Sequence, residues 1–106
     1  VAMACGRASG DCEDIAAIVR ARCRDLGIPH RLIFCYVPPQ NGQPGGYHLG
    51  VEADGWFSDC NHPHLIERDM VPYVWISLSG YEAGEPWHYV STFDPDQPWP
   101  HVAAAT

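Results

Sequence analysis

Apolar residues recur at three- and four-residue steps from Cys12, at Ile15, Ala16, Ile18, Val19, Cys23 and Leu26, the period of a helix with one buried face. Gly27 supplies a stop and Pro29 forbids continuation, so the pattern predicts a helix over residues 12–26. The period then changes. Residues 31–37, Arg-Leu-Ile-Phe-Cys-Tyr-Val, form a short apolar run of strand length. A Pro/Gly-rich loop at 38–46 separates it from the runs 47–53 and 56–61, which are joined by Asp54-Gly55. Asp-Gly between two such runs predicts a hairpin closed by a two-residue type I′ turn. Segments near 72–78 and 86–93 predict a final antiparallel pair, separated by turn residues and acids without periodicity. A helix followed by strands predicts an α+β domain, with the N-terminal helix packed on one face of an antiparallel sheet.

The hairpin turn also predicts a register. With Ala53 opposite Trp56, the pairs continue as Glu52 with Phe57, Val51 with Ser58, Gly50 with Asp59, Leu49 with Cys60 and His48 with Asn61. Side chains alternate along a strand, so His48, Gly50 and Glu52 share a face with Phe57, Asp59 and Asn61. Asp59 becomes a diagonal neighbour of His48, roughly 7 Å away between backbones. Asn61 is placed directly opposite it.

Composition narrows the classes of function. At 106 residues the chain makes one domain, long enough to bury roughly two thirds of its unfolded surface. Residues 1–93 are assigned to it, and the proline-rich residues 94–106 to an extended tail. A net charge of −7 argues against nucleic acid, whose binding is dominated by neutralising phosphates. All six basic residues are arginine, which removes Schiff-base lysines and a P-loop lysine. No apolar run reaches the roughly 18 residues of a membrane span.

The five cysteines are odd in number and irregularly spaced, which reads as reduced thiols rather than a disulfide framework. Together with an N-terminal Val1-Ala2-Met3-Ala4-Cys5 that lacks the basic start and apolar run of a leader, this favours a cytoplasmic location. Cys23 and Cys35 read as small core residues. Cys60, His62 and His64 invite a structural metal site, but zinc sites usually pair two ligand clusters and no second cluster is present. His62 and His64 read instead as turn residues on the rim of a cleft. His30, His88 and His101 have no partner that sequence assigns.

Cys12 carries the sharpest chemistry. It starts the helix straight after the turn-forming Ser9-Gly10, where unsatisfied backbone N–H groups and the positive end of the macrodipole stabilise a thiolate. The plainer account makes it a small residue at a helix start, with Asp11 or Asp14 capping. What shifts the balance is His48 with Asp59, or Asn61, on one hairpin face. A thiolate, an imidazole and a group that orients the imidazole are the parts of a cysteine-nucleophile triad. The Cys12 sulfur is then expected within about 4 Å of a His48 ring nitrogen.

These residues also carry a resemblance. Gly10-Asp11-Cys12-Glu13-Asp14, the helix running to Leu26-Gly27-Ile28-Pro29, then Tyr47-His48-Leu49-Gly50-Val51-Glu52 and Gly55-Trp56-Phe57-Ser58-Asp59, are similar to the transglutaminase-like superfamily. Within it, the chain most resembles the bacterial transglutaminase-like cysteine peptidase branch, over about residues 9–90. Members usually read "LD" followed by Asn or Pro, where this chain has Ser58-Asp59-Cys60-Asn61-His62-Pro63; Asp59 is favoured and Asn61 stays open. The resemblance implies a papain-like or transglutaminase-like core and a Cys12–His48–Asp59 triad. It implies a peptide or protein substrate, an amide, peptide or isopeptide bond cleaved through a thioester, and hydrolysis rather than transfer to an amine. A catalytically inactive binding or scaffold module, or a transglutaminase, is the alternative. Some relatives hold calcium with the acids flanking the cysteine, here Asp11 and Glu13. Two carboxylates fall short of the six to eight oxygens calcium takes, so helix capping is preferred and no cofactor is expected to be required.

Overall fold

A computed structural model describes residues 12–42 and 44–99. Within them lie helix α1 (Cys12–Asp25) and strands β1 (Arg31–Val37), β2 (Gly46–Ala53), β3 (Trp56–Ser58), β4 (Ile66–Glu67), β5 (Val74–Leu78) and β6 (His88–Tyr89), with a 3₁₀ turn at Arg68–Met70. The strands form one sheet in the order β4-β3-β2-β1-β5-β6, every pairing antiparallel. This is the α+β arrangement predicted, with α1 packed against β2. No described helix is long and apolar enough to cross a membrane.

Local chemistry explains the boundaries. Glu13 and Asp14 occupy the first turn of α1, Arg22 and Arg24 the last, each matching the dipole end it sits on. Gly27 adopts φ 69°, and the amides of Ile28 and Gly27 donate to the carbonyls of Cys23 and Arg24, a Schellman closure. The buried stripe is narrower than the periodicity suggests: Cys12, Ala16 and Cys23 are buried, whereas Ile18 and Leu26 are 59% and 69% exposed. At roughly 100° per residue the three buried side chains stack along one line and Ile18 falls on the far flank. Leu26 lies in the capping turn beyond the helix.

Asp54 and Gly55 take φ 51° and 87°, the two left-handed residues of a type I′ turn. The register follows the prediction from Ala53↔Trp56 to Glu52↔Phe57 and Val51↔Ser58. There it stops. The expected pairs of Gly50, Leu49 and His48 with Asp59, Cys60 and Asn61 do not form, because the chain turns: the amides of Asp59 and His62 each donate to the other's carbonyl, at 3.1 and 3.2 Å. The physical cause is Asp59, whose side chain collects amides from its own turn. β4 and the 3₁₀ turn then cover the β3 edge, anchored by the Arg68 amide on the Gly55 carbonyl at 2.8 Å.

β1 lies between β2 and β5 and carries a register shift between Phe34 and Cys35 on the β5 side. Its pairing sets Ile33 beside Gly50 and Cys35 beside His48. The core gathers Ile33, Phe57, Val71 and Val90, with Ile66, Tyr73, Trp75, Leu78 and Phe93 against it. Fully burying a side chain such as Phe57 or Ile33 contributes about 1.5–3 kcal/mol. Residues 94–97 turn through an Asp94 carbonyl, and the Trp99 ring meets Phe93 edge-on at 5.3 Å.

Candidate active site

Three elements converge on one buried region. Cys12, at the first position of α1, is 2% exposed and its thiol is reduced. His48 comes from β2, where it is the partner of Cys35 on β1 and is 0% exposed. Asp59 follows the last residue of β3 and is 1% exposed. The Cys35 thiol donates to the His48 carbonyl at 3.6 Å. Burial pushes that thiol far up, and the fields of Asp59 and Cys12 push it further, so Cys35 lies within reach of both.

The imidazole of His48 has two different sides. Its Nε2 lies 2.6 Å from Asp59 Oδ2, while its Nδ1 is buried with no hydrogen-bond partner. An ionised carboxylate only accepts, so Nε2 carries the proton and Nδ1 of the neutral ring holds a lone pair. The other carboxylate oxygen is held firmly: Asp59 Oδ1 accepts from the amides of Asn61 at 3.0 Å and His62 at 2.7 Å, and from His62 Nδ1 at 2.8 Å. Burial pushes the Asp59 carboxyl up, but hydrogen bonds from His48 and His62 and the charges of those imidazoles outweigh it, leaving it below the usual value.

Of the two orienting groups considered, Asp59 is the one on His48. Asn61 is not opposite the imidazole; its Nδ2 donates to the Tyr73 hydroxyl at 3.3 Å. No role for Tyr73 was legible in the sequence; its ring stands edge-on to His48 at 6.0 Å and to His62 at 5.8 Å. Burial, aided by the charges of Asp59 and Cys35 and opposed by the Asn61 hydrogen bond, pushes its phenol up to about 12. His62 is in the turn as expected, but its contact with Asp59 was missed. The signal was present as Asp-x-x-His in a turn ended by Pro63.

Other expected features fall elsewhere. Ser9, Gly10 and Asp11 lie outside the described residues, and with them one half of the calcium pair; Glu13 is exposed. Among the described residues no three His, Cys, Asp or Glu side chains gather as a metal-holding group. The Cys60, His62 and His64 cluster does not form one: His62 Nδ1 is committed to Asp59 and Cys60 is in a disulfide. That disulfide corrects the expectation of five reduced thiols. His30 is buried away from the site, its Nδ1 donating to the Ile28 carbonyl at 2.9 Å. His88 lies in β6, and His101 is outside the described residues.

A helix bearing a buried thiol at its start, laid against an antiparallel sheet that carries an imidazole–carboxylate pair, defines an α+β core of the transglutaminase-like kind. The chain belongs to the transglutaminase-like superfamily, whose profile it matches over residues 2–79. No curated protein and no solved structure shows a significant match to it.

Proposed function

We propose that the protein hydrolyses an amide, peptide or isopeptide bond through a thioester on Cys12, with His48 as proton carrier and Asp59 as its orienting group. The observation that carries this reading is the posture of His48: Nε2 committed to Asp59 at 2.6 Å, and Nδ1 buried, unpartnered and able to accept a thiol proton. Cys12 loses its proton to His48 Nδ1 as its sulfur attacks the carbonyl carbon, giving a tetrahedral intermediate. The C–N bond then breaks, and His48 returns the proton to the departing amine. Water attacks the thioester by the same route in reverse, releasing the acid and restoring the thiol. Asp59 keeps Nδ1 as the accepting nitrogen and stabilises the imidazolium. The amide of Cys12, at a helix start, is the proposed oxyanion donor.

The resemblance of residues 10–14 and 47–59 to bacterial transglutaminase-like cysteine peptidases favours water over an amine as the second nucleophile. Active-site titration with iodoacetamide across pH tests the whole reading. Cys12 should react at lower pH than Cys23 and Cys35, both pushed up by burial, and the selective adduct should vanish in His48→Ala while surviving chelator treatment. A Cys12 that titrates as an ordinary thiol, with no turnover of peptide libraries, would favour the scaffold alternative. Product amides formed from an added amine would instead make it a transglutaminase. Activity lost on chelation and restored by calcium alone would revive the Asp11 and Glu13 site.

A further inference from the structure

The carboxylate of Asp59 is shared by two imidazoles. His48 Nε2 takes Oδ2 at 2.6 Å and His62 Nδ1 takes Oδ1 at 2.8 Å. We infer that His62 is a positioning residue for the proposed reaction: it anchors the Oδ1 side of Asp59, and its charge sets how strongly Asp59 supports a cationic His48. The inference rests on the Cys12–His48–Asp59 reading above.

The protons decide the argument. Nδ1 of His62 faces an acceptor, so it holds a proton, and Nε2 is where that ring gains or loses its second one. The His62 side chain is 26% exposed, whereas those of His48 and Asp59 are at 0%. Of the three groups, His62 is the one in direct exchange with solvent. With Nε2 bare, the Asp59 charge acts on His48. With Nε2 protonated, a cation already neutralises the carboxylate, and moving the Cys12 proton to His48 Nδ1 would place a second cation on the same anion. The proton transfer is therefore held back on the acid side.

The surroundings leave His62 in control. The Phe57 ring from β3 and the Tyr73 ring from the segment before β5 pack on His62 at 6.0 and 5.8 Å. Asp59 itself acts on Tyr73, through a side-chain hydrogen bond and its charge, and on Cys35 of β1; Cys12 of α1 also acts on Cys35. Burial raises both Tyr73 and Cys35, so they stay neutral at neutral pH. Asn61 contributes an amide without charge.

The test compares the full chain with His62→Asn, which offers an uncharged N–H donor near the Nδ1 position, and His62→Phe, which keeps a ring without a donor. Cys12 trapping by iodoacetamide is followed from about pH 4.5 to 9, spanning imidazole titration, alongside kcat and KM for peptide hydrolysis. His62→Asn should lower the neutral-pH rate less than His62→Phe does and weaken the acid-side inflection, reacting several-fold faster than the wild type near the acid limit. His62→Phe should slow roughly tenfold near neutral pH, as one hydrogen bond to the carboxylate is lost, with the change in kcat and none in KM. Its deficit against the wild type should shrink toward the acid limit, because the inhibiting cation of the wild type is also gone. An activated wild-type Cys12 whose profile is unchanged in His62→Asn would overturn the role of His62 and leave the triad standing. A wild-type Cys12 with ordinary thiol reactivity would overturn the triad itself. Should His62→Phe fail to fold by near-ultraviolet circular dichroism, His62→Asn alone decides.

Discussion

Among the described residues two carboxylates are buried, one in the sheet and one just past the end of β3, and they are treated in opposite ways. Glu52, 3% exposed, stands between Arg31 and Arg68, each 3.5 Å away; its Oε1 and both arginine Nε atoms have no partner. Asp59, 1% exposed, is met at 2.6–3.0 Å by two imidazoles and two amides. The difference lies in the partners. Guanidinium never releases its proton, so the Glu52 cluster is a fixed set of charges that ties β1, β2 and the β4 side together. Imidazole gives and takes one near neutral pH, so the Asp59 cluster is built from groups whose charge can change during a reaction. Loose contact is tolerated where charge is only counterbalanced, and close hydrogen-bond geometry is what the proposed proton transfer would require.

The largest expected effect comes from making the second cluster resemble a misaimed one. In Asp59→Asn the amide N–H₂ can face His48 Nε2, which forces the proton onto Nδ1 and removes the accepting lone pair. Peptide hydrolysis and Cys12 trapping should fall about 10³–10⁴-fold with the fold intact, as judged by circular dichroism. An unchanged rate, together with loss in Asn61→Ala, would hand the orienting role to Asn61. Glu52→Gln is the matched control. It should leave the trapping rate near wild type but destabilise by about 2 kcal/mol in urea titration, less than a fully buried pair because both arginines are a quarter exposed.

A smaller effect separates the clusters by pH. Asp59 is held below its unfolded value, which is about 3.9. Its contribution to stability is therefore fully present above that value and is lost as pH falls through the lower folded one. The urea midpoint should drop in that acid window, and Asp59→Asn should remove this part of the drop while leaving the rest; identical acid limbs for the two proteins would contradict the shift. The smallest effect is expected from Asn61→Ala. It removes an exposed 3.3 Å bond to Tyr73, worth about 0.5 kcal/mol, and should leave Cys12 trapping unchanged.

What the sequence made legible follows from how local each determinant is. α1, β1 and the Asp54-Gly55 turn are written in periods and turn residues a few positions apart, and they appear within a residue or two of their predicted ends. Cys12 at a helix start and His48 on a strand were legible for the same reason, whereas Asp59, expected within a strand, follows the last residue of β3. The extent of the hairpin was not. Alternation predicts facing residues only while the ladder lasts, and Asp59 ends it by bonding its own turn. The narrow buried stripe of α1 depends on one strand, β2, lying beneath it, a fact no helical period contains. β4 has two residues, too few for any pattern. Tyr73 reaches His48 only through tertiary packing.

Gly50 gives the site a constraint on inheritance. A methyl group there would collide with the Phe57 ring, and that ring in turn touches His62, Tyr73 and Trp75. Every other amino acid at position 50 therefore forces the aromatic floor beneath the paired imidazoles to move. Trp56, one residue away from that ring, is 45% exposed. Two adjacent positions of one hairpin strand thus differ in the substitutions a lineage can keep: Trp56 is open to drift, while Phe57 is tied to a partner that must remain without a side chain. A change at Gly50 can persist only if Phe57 shifts or changes with it.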